Sequence, residues 1–282
     1  MLGPSAAVSP VTPAGRFPGP AVVKAADLLA EAARTGVPTT PVRTLFAADD
    51  VDAAYAVQRL NVERRIADGG VVVGRKIGLT SKRVQRQLGV DRPDFGTLMA
   101  DMAVPDGGRI PSGLLLAPKV EAEVALVLSR PLKHPGCTPD DVLGAVGFAL
   151  PALEIVDSRI AGWDIGFVDT VADNASSGLF VLGSTPVPPA GTDLRAVAME
   201  MTRNGSRVST GSGAECLGGP LDAAAWLAST LARRGEGLRA GDVVLTGALG
   251  PMSPGAPGDV FEARITGLGP VRVAFAPEGD SP

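Results

Sequence analysis

The chain has 282 residues, with 26 lysines and arginines against 30 aspartates and glutamates, a net charge of −4. At ~150 residues per domain this allows one large domain or two small ones. The acidic balance and an aromatic content of 4% exclude a basic or base-stacking nucleic-acid surface.

Residues 1–20 are proline-rich, lack the apolar run of a signal peptide and read as a disordered tail. No apolar run approaches the ~18 residues needed to span a bilayer, so no membrane association is expected. The alanine- and leucine-rich stretch 21–35 predicts a helix ending at Gly36. Residues 37–47 hold two prolines and read as a loop. A second helix is expected over 51–68, capped by Asp49 or Asp50 and stopped by Gly69 and Gly70. Val71, Val72 and Val73 predict a buried strand running into Gly74-Arg75-Lys76-Ile77-Gly78, then a short helix capped by Thr80 or Ser81 and ending near Gly89. Residues 92–119 read as loop with short strands at most, 120–128 as a strand and 139–150 as a helix. Beyond these, strands are expected over 197–203, 242–246, 259–266 and 271–275, a hairpin turn at Asn204-Gly205, and a helix over 221–234. Helices followed by many strands predict an α+β fold, a single domain over 21–282 with a helical segment at 21–70 and a β-rich core at 71–276. No phosphate-cradling loop is present, since Gly211-Ser212-Gly213-Ala214-Glu215-Cys216 fails the GxGxxG pattern.

The sole histidine, His134, excludes a multi-histidine zinc site within one chain. Cys137 and Cys216 form neither a disulfide framework nor a CxxC motif, as in a protein of the reducing cytoplasm. Acid–base or metal chemistry therefore falls to carboxylates and lysines. Glu121 and Glu123 sit at i and i+2 of a predicted strand, which puts both carboxylates on one face about 7 Å apart at the backbone. Such a pair suits a hard divalent cation, although spacing alone favours an ordinary solvated strand face. Glu154 lies inside an apolar run, where an unpartnered carboxylate is costly, so it is either paired or functional. Asp157 is a second acidic contributor or a turn residue. Asp169, Asp173, Asn174 and Ser176 belong to a cluster of small polar residues that reads as a pocket-lining loop or a plain turn. Lys76 either snorkels to solvent or faces a pocket to bind an anion or carry protons. Asp94 reads as a turn residue by default.

Several long stretches in order carry a resemblance. They are GRKIGLTSKRVQRQLGVDRPDFGTLMADM at 74–102, PKVEAEVALVL at 118–128, PALEIVDSRIAGWDIGFVDTVADNASSG at 151–178, TGALGPM at 246–252 and PGDVFEARITGLGPV at 257–271. Together they resemble the 2-keto-4-pentenoate hydratase family of the fumarylacetoacetate hydrolase superfamily, over about residues 21–275. The resemblance implies a mixed β-roll with surrounding helices and a helical N-terminal segment. It implies Mg²⁺ or Mn²⁺ held by Glu121, Glu123 and Glu154, which reverses the reading from spacing. It places Lys76 in the active site as a carboxylate binder or proton carrier. Asp94 and Asp157 become candidate water activators, and Leu98, Asp173, Asn174 and Ser176 candidate substrate contacts.

The implied activity is addition of water to 2-hydroxypenta-2,4-dienoate, giving 4-hydroxy-2-oxopentanoate, in the meta-cleavage of aromatic compounds. Lys76-Ile77-Gly78-Leu79-Thr80-Ser81 and Pro93-Asp94-Phe95-Gly96 resemble the hydratases rather than the decarboxylases. A 4-oxalocrotonate-type decarboxylase, an acylpyruvate hydrolase and a member recruited to a biosynthetic pathway are the alternatives. The implied partners are a small-molecule substrate, further copies of the chain in a homo-oligomer and other enzymes of the pathway. Gly218-Gly219-Pro220 departs from the Gly-His-Pro common among the relatives, and the segment before Ala21 lies outside the resemblance.

Overall fold

The computed structural model describes residues 18–47, 49–81, 85, 90 and 92–280. Residues 1–17 of the tail expected over 1–20, and most of the expected helix after Ser81, lie outside the described residues, while Pro20 already belongs to the first helix. The first helix, Pro20–Thr35, opens on a proline and closes at Gly36, whose left-handed φ of 71° turns its N–H onto Ala32 O. The second, Val51–Ala67, is capped by Asp50, which accepts from the Ala53 N–H. Among the described residues no helix is long and apolar enough to cross a membrane.

Among the described residues thirteen strands follow. They are β1 (Val72–Gly78), β2 (Asp94–Met99), β3 (Ala103–Val104), β4 (Arg109–Ile110), β5 (Lys119–Leu128), β6 (Val146–Val156) and β7 (Ser177–Leu182), then β8 (Ala198–Arg203), β9 (Ser206–Ser212), β10 (Val243–Ala248), β11 (Ser253–Pro254), β12 (Val260–Ile265) and β13 (Gly269–Phe275). The larger sheet runs β2-β1-β10-β5-β6-β7-β3, with β11 alongside β5. It is mixed, because β1 pairs β10 and β3 pairs β7 in parallel while the other pairs are antiparallel. The smaller sheet, β4-β13-β12-β8-β9, packs β12 and β13 against β6. The helix Pro220–Arg233 covers β1 and β10 from another side. One continuous apolar core joins both sheets and this helix.

Two expectations fail, each for its own reason. The helix expected over 139–150 stops at Ala145, and Val146–Val156 is a strand. A central strand enclosed on both faces reads as a near-continuous apolar run, which looks the same as a buried helix. The stretch 92–119 contains a six-residue strand, β2, buried along its whole length. Its Asp94 and Gly96 oppose strand propensity, and pairing with β1 overrides them.

A second, smaller apolar cluster joins the two N-terminal helices to Ile160, Val168 and Val171. Two polar links brace it, and one of them, from Gln58, also reaches the sheet. The Gln58 side-chain amide donates to Phe95 O at 3.0 Å and Val171 O at 2.9 Å. Arg43 donates from its backbone at 2.8 Å and its guanidinium at 2.6 Å to Asp169, which is fully buried. The helix Phe167–Ala172 is thereby pinned on both sides, where the sequence alone allowed a loop.

Candidate active site

The register of β5 against β6 places Glu121 directly opposite Glu154, and Glu123 lies two residues further along the same face of β5. One oxygen from each of the three carboxylates falls within 4.8 Å of the others. Glu123 and Glu154 are buried and Glu121 is half-buried. Glu123 Oε2 accepts the Gly247 N–H at 2.7 Å, which anchors it to the end of β10. Glu123 Oε1 and both Glu154 oxygens are buried without a hydrogen bond. Orphaned carboxylate oxygens in a folded interior are rare. Three converging hard donors with free lone pairs fit a divalent cation.

Lys76 projects from β1 into the same space, fully enclosed. Its Nζ lies 3.1 Å from Glu154 Oε1, an ion contact outside hydrogen-bond alignment, and donates to Ala175 O at 2.9 Å. Asp94, at the start of β2, is buried with Oδ1 unpartnered. Gly78 is paired with Asp94 across β1 and β2, and a Cβ there would collide with Asp94 Oδ1 and lie 3.4 Å from Lys76 Nζ. A side chain at 78 would therefore displace the Asp94 carboxylate.

The charges explain the titration behaviour. Burial, then the Glu154 carboxylate, push Glu121 up to about 7. Burial, then Glu154 and Glu121, hold Glu123 well above the usual carboxylate range. Burial raises Asp94 too, against the opposing pull of Lys76. For Lys76 burial works against the charge, but Glu154, Asp94, Glu121 and Glu123 outweigh it and raise the ammonium above its ordinary range. Four carboxylates thus face one buried lysine, an imbalance that a bound cation would relieve.

These groups open into a cavity of about 230 Å³ whose lining includes Lys76, Asp94, Glu121 and Ser176. Residues 49–276, most of the chain, match the family described as fumarylacetoacetate (FAA) hydrolase C-terminal. The chain belongs to the fumarylacetoacetate hydrolase family. This bears out the resemblance and the β-roll expected from it. Within the family the chain is 57% identical over 256 residues to the TodF product hydratase of Pseudomonas putida, covering 91% of this chain and 96% of the relative. It is 56% identical over 252 residues to a 2-keto-4-pentenoate hydratase of Paraburkholderia xenovorans, covering 89% and 94%. The solved structure of 4-oxalocrotonate decarboxylase from Pseudomonas putida G7, complexed with magnesium and adipate, superposes with a TM-score of 0.87 at 38% identity, covering 90% of this chain and 97% of that one.

The other residues singled out from sequence divide into two groups. Ser176 lines the cavity of this fumarylacetoacetate hydrolase relative, its Oγ 3.1 Å from Thr170 Oγ1. Asp173, Asn174, Leu98 and Asp157 do not line it. Asp173 is buried against Arg159, which donates to it from Nε at 2.6 Å and from its backbone at 2.9 Å. Burial pushes Asp173 up to about 6 even against that guanidinium. Asn174 brackets Thr97, accepting its N–H at 2.7 Å and donating to its carbonyl at 2.9 Å. Leu98 belongs to the apolar core. Asp157 accepts the Leu116 and Ala117 N–H groups at 3.0 and 2.7 Å, so its carboxylate holds the approach to β5 instead of facing the cavity. Asp157, expected as a water activator, and Leu98, Asp173 and Asn174, expected as substrate contacts, thus have their side chains engaged by the surrounding protein. Gly219 also lies outside the cavity lining.

The turn that joins these residues is strained. Asn174, Ala175 and Ser176 all hold φ of 54°, the left-handed region that L side chains disfavour. This turn aims Ala175 O at Lys76 and Ser176 Oγ into the cavity. Gly96 accommodates it, since a Cβ there would strike Asn174 O. Ala175→Val should cost about 1–3 kcal/mol of stability and lower turnover by misplacing Lys76. Ala175→Gly should stay within about 1 kcal/mol of the parent. Thermal melts with kcat for both variants check this; a Val variant as stable and active as the Gly variant would contradict the strain argument.

Sequence reasoning did not assign cavity roles to Thr170, Lys119, Trp163, Ile165 and Met252. Lys119 was legible in one respect: it shares the face of Glu121 at i and i+2. Its ammonium lies 3.9 Å from the Trp163 ring, and burial lowers its pKa against the opposing pull of Glu121. Trp163 is anchored by its Nε1–H to Ala117 O at 2.9 Å. Nothing local in the sequence marks Trp163 or Met252 as cavity residues, because only the packing of separate loops brings them together.

Proposed function

We propose that the chain is a divalent-metal-dependent hydro-lyase that adds water to 2-hydroxypenta-2,4-dienoate and releases 4-hydroxy-2-oxopentanoate, a step of aromatic catabolism. The observation that carries this reading is the convergence of Glu121, Glu123 and Glu154, with orphaned buried oxygens, on a cavity that also holds Lys76 and Asp94. Identity above one half to relatives named as hydratases supports the reaction class.

The three glutamates would hold Mg²⁺ or Mn²⁺, which prefer hard oxygen donors. Bound there, the cation would supply Lewis acidity towards charge developing on the substrate's C2 oxygen. Lys76 stays an ammonium beside these carboxylates, so its role is to bind the substrate carboxylate and hold negative charge rather than to accept a proton. Asp94 carries the proton traffic through Oδ1. In its neutral form it gives a proton to C5 of the dienol as the C2 hydroxyl releases its own proton to solvent, leaving an α,β-unsaturated ketone. As a carboxylate it then takes a proton from the water that adds at C4, while C3 takes a proton back from solvent. The net change is one water added. Trp163, Ile165 and Met252 give the diene end an apolar wall that keeps bulk water away from C5.

The assay is turnover of 2-hydroxypenta-2,4-dienoate followed by loss of dienol absorbance, with products identified by mass. With Mg²⁺ or Mn²⁺ the product should be heavier by one water, and chelation should abolish it. Carbon dioxide release from 4-oxalocrotonate, with no hydration, would replace this reading by the decarboxylase. We take the working form to be a cytoplasmic homo-oligomer acting on this small molecule, to be checked by light scattering on the purified chain and by cell fractionation.

A further inference from the structure

Thr170 lies at the centre of a short chain of hydroxyls that the reaction as stated does not use. Its Oγ1 donates to Asp94 Oδ2 at 3.4 Å and lies 3.1 Å from Ser176 Oγ. All three residues are at least 95% buried and line the cavity. A hydroxyl has a single proton to donate. If Thr170 gives its proton to Asp94, Ser176 must donate to Thr170, so the direction of the chain is fixed. Asp94 Oδ2 is then an acceptor, whereas Oδ1 has no hydrogen-bond partner among the described residues.

The position of Thr170 is held firmly by its neighbours. It is flanked by Asp169, bound twice by Arg43, and by Val171, whose carbonyl accepts from Gln58. Its own N–H donates to Gly166 O at 3.1 Å, which leaves only the side chain to face the cavity. Ser176 is held from the other side by the left-handed turn. The length of the Thr170–Asp94 contact is ordinary for a ligand-free site, where such bonds tighten once substrate is in place.

We propose that Thr170 is a positioning residue that, by donating to Asp94 Oδ2 and accepting from Ser176, keeps the exchangeable proton of Asp94 on Oδ1, the oxygen available to substrate. The inference rests on the hydratase reading for the step it serves, but the arrangement of the proton is a property of the free protein. Removing the hydroxyl leaves Asp94 able to place its proton on either oxygen, and half of those arrangements point away from C5.

The test combines Thr170→Val, which keeps shape and loses the hydroxyl, with Thr170→Ser, which restores it. In the hydration assay Thr170→Val should lower kcat about 10- to 100-fold, within the range of general acid–base contributions, with KM changed less than about threefold and Mn²⁺ affinity by calorimetry unchanged. Thr170→Ser should recover kcat to within about threefold of the parent. On an Asp94→Asn background the Val substitution should cost less than about twofold, because the two residues act as one unit. Equal losses on both backgrounds, or no loss on the parent, would overturn the proposal while leaving the hydratase reading intact. A second readout needs no turnover. In protein labelled with ¹³C at aspartate carboxyls, the Asp94 signal, identified by its loss in Asp94→Asn, should move in Thr170→Val and return in Thr170→Ser. If the parent fails to hydrate the dienoate, the functional reading falls and this signal still decides the Thr170 contact. An unmoved signal overturns it.

Discussion

Glu121→Gln should melt about 5 °C above the parent at pH 8 in the absence of divalent cations, and should lose the gap below pH 5. Burial and the facing Glu154 raise the folded-state pKa of Glu121 from 4.5 to about 7. The folded protein therefore holds this proton more tightly than the unfolded chain. Stability falls as pH rises from the unfolded value towards 7, and the whole penalty is present above 7. A shift of that size corresponds to at most about 3 kcal/mol, and about 2 °C per kcal/mol applies to a chain of this length. Glutamine carries no charge and escapes the penalty. The same substitution removes a cation ligand, so divalent affinity should fall at least about 100-fold. Adding Mn²⁺ should then reverse the order of melting, because only the parent gains stability by binding. A metal-free variant that melts below the parent at pH 8, or one that binds Mn²⁺ as tightly, would refute the account of the cluster.

Lys76→Met is the second large effect. Among the described residues its ammonium is the one fully buried cation beside Glu154, Asp94, Glu121 and Glu123. Removing it leaves buried carboxylates without a counter-charge, and breaking a buried pair costs about 3–5 kcal/mol. The metal-free variant should melt lower than the parent and recover more on adding Mg²⁺ or Mn²⁺, since the cation takes over the neutralising role. Turnover should drop about 10²–10⁴-fold even with the cation bound. Unchanged kcat would remove Lys76 from the reaction. Unchanged metal-free stability would show that the carboxylates shed their charge by protonation and not by pairing.

The two variants move metal-free stability in opposite directions from positions that share one cavity. A purely structural role for the cluster predicts that both substitutions destabilise. A cation site, in which negative charge is held in excess until the ion arrives, predicts the divergence.

The sequence read alone carried the local decisions. Gly36, Asp50 and the Asn204-Gly205 turn bounded their elements because capping and turn chemistry depend on adjacent residues. The i and i+2 spacing of Glu121 and Glu123 set both carboxylates on one face because strand side chains alternate. Family motifs then supplied Glu154 and Lys76, which spacing left undecided. What remained depended on contacts between distant segments. Opposing Glu154 to Glu121 takes the register of β5 on β6, and lifting Asp94 from a turn into the wall takes the pairing of β2 with β1. Asp157, Asp173 and Asn174 look like ligands in sequence because they are polar and close to a motif. In the fold their oxygens and amides are consumed by backbone groups and by Arg159, because a buried polar group takes whatever partner the packing brings within reach. Residue type and spacing thus determined which groups this protein has for chemistry; only the tertiary structure decided which of them are left unsatisfied and facing the cavity, since hydrogen-bond satisfaction is a property of neighbours in space and not of neighbours in the chain.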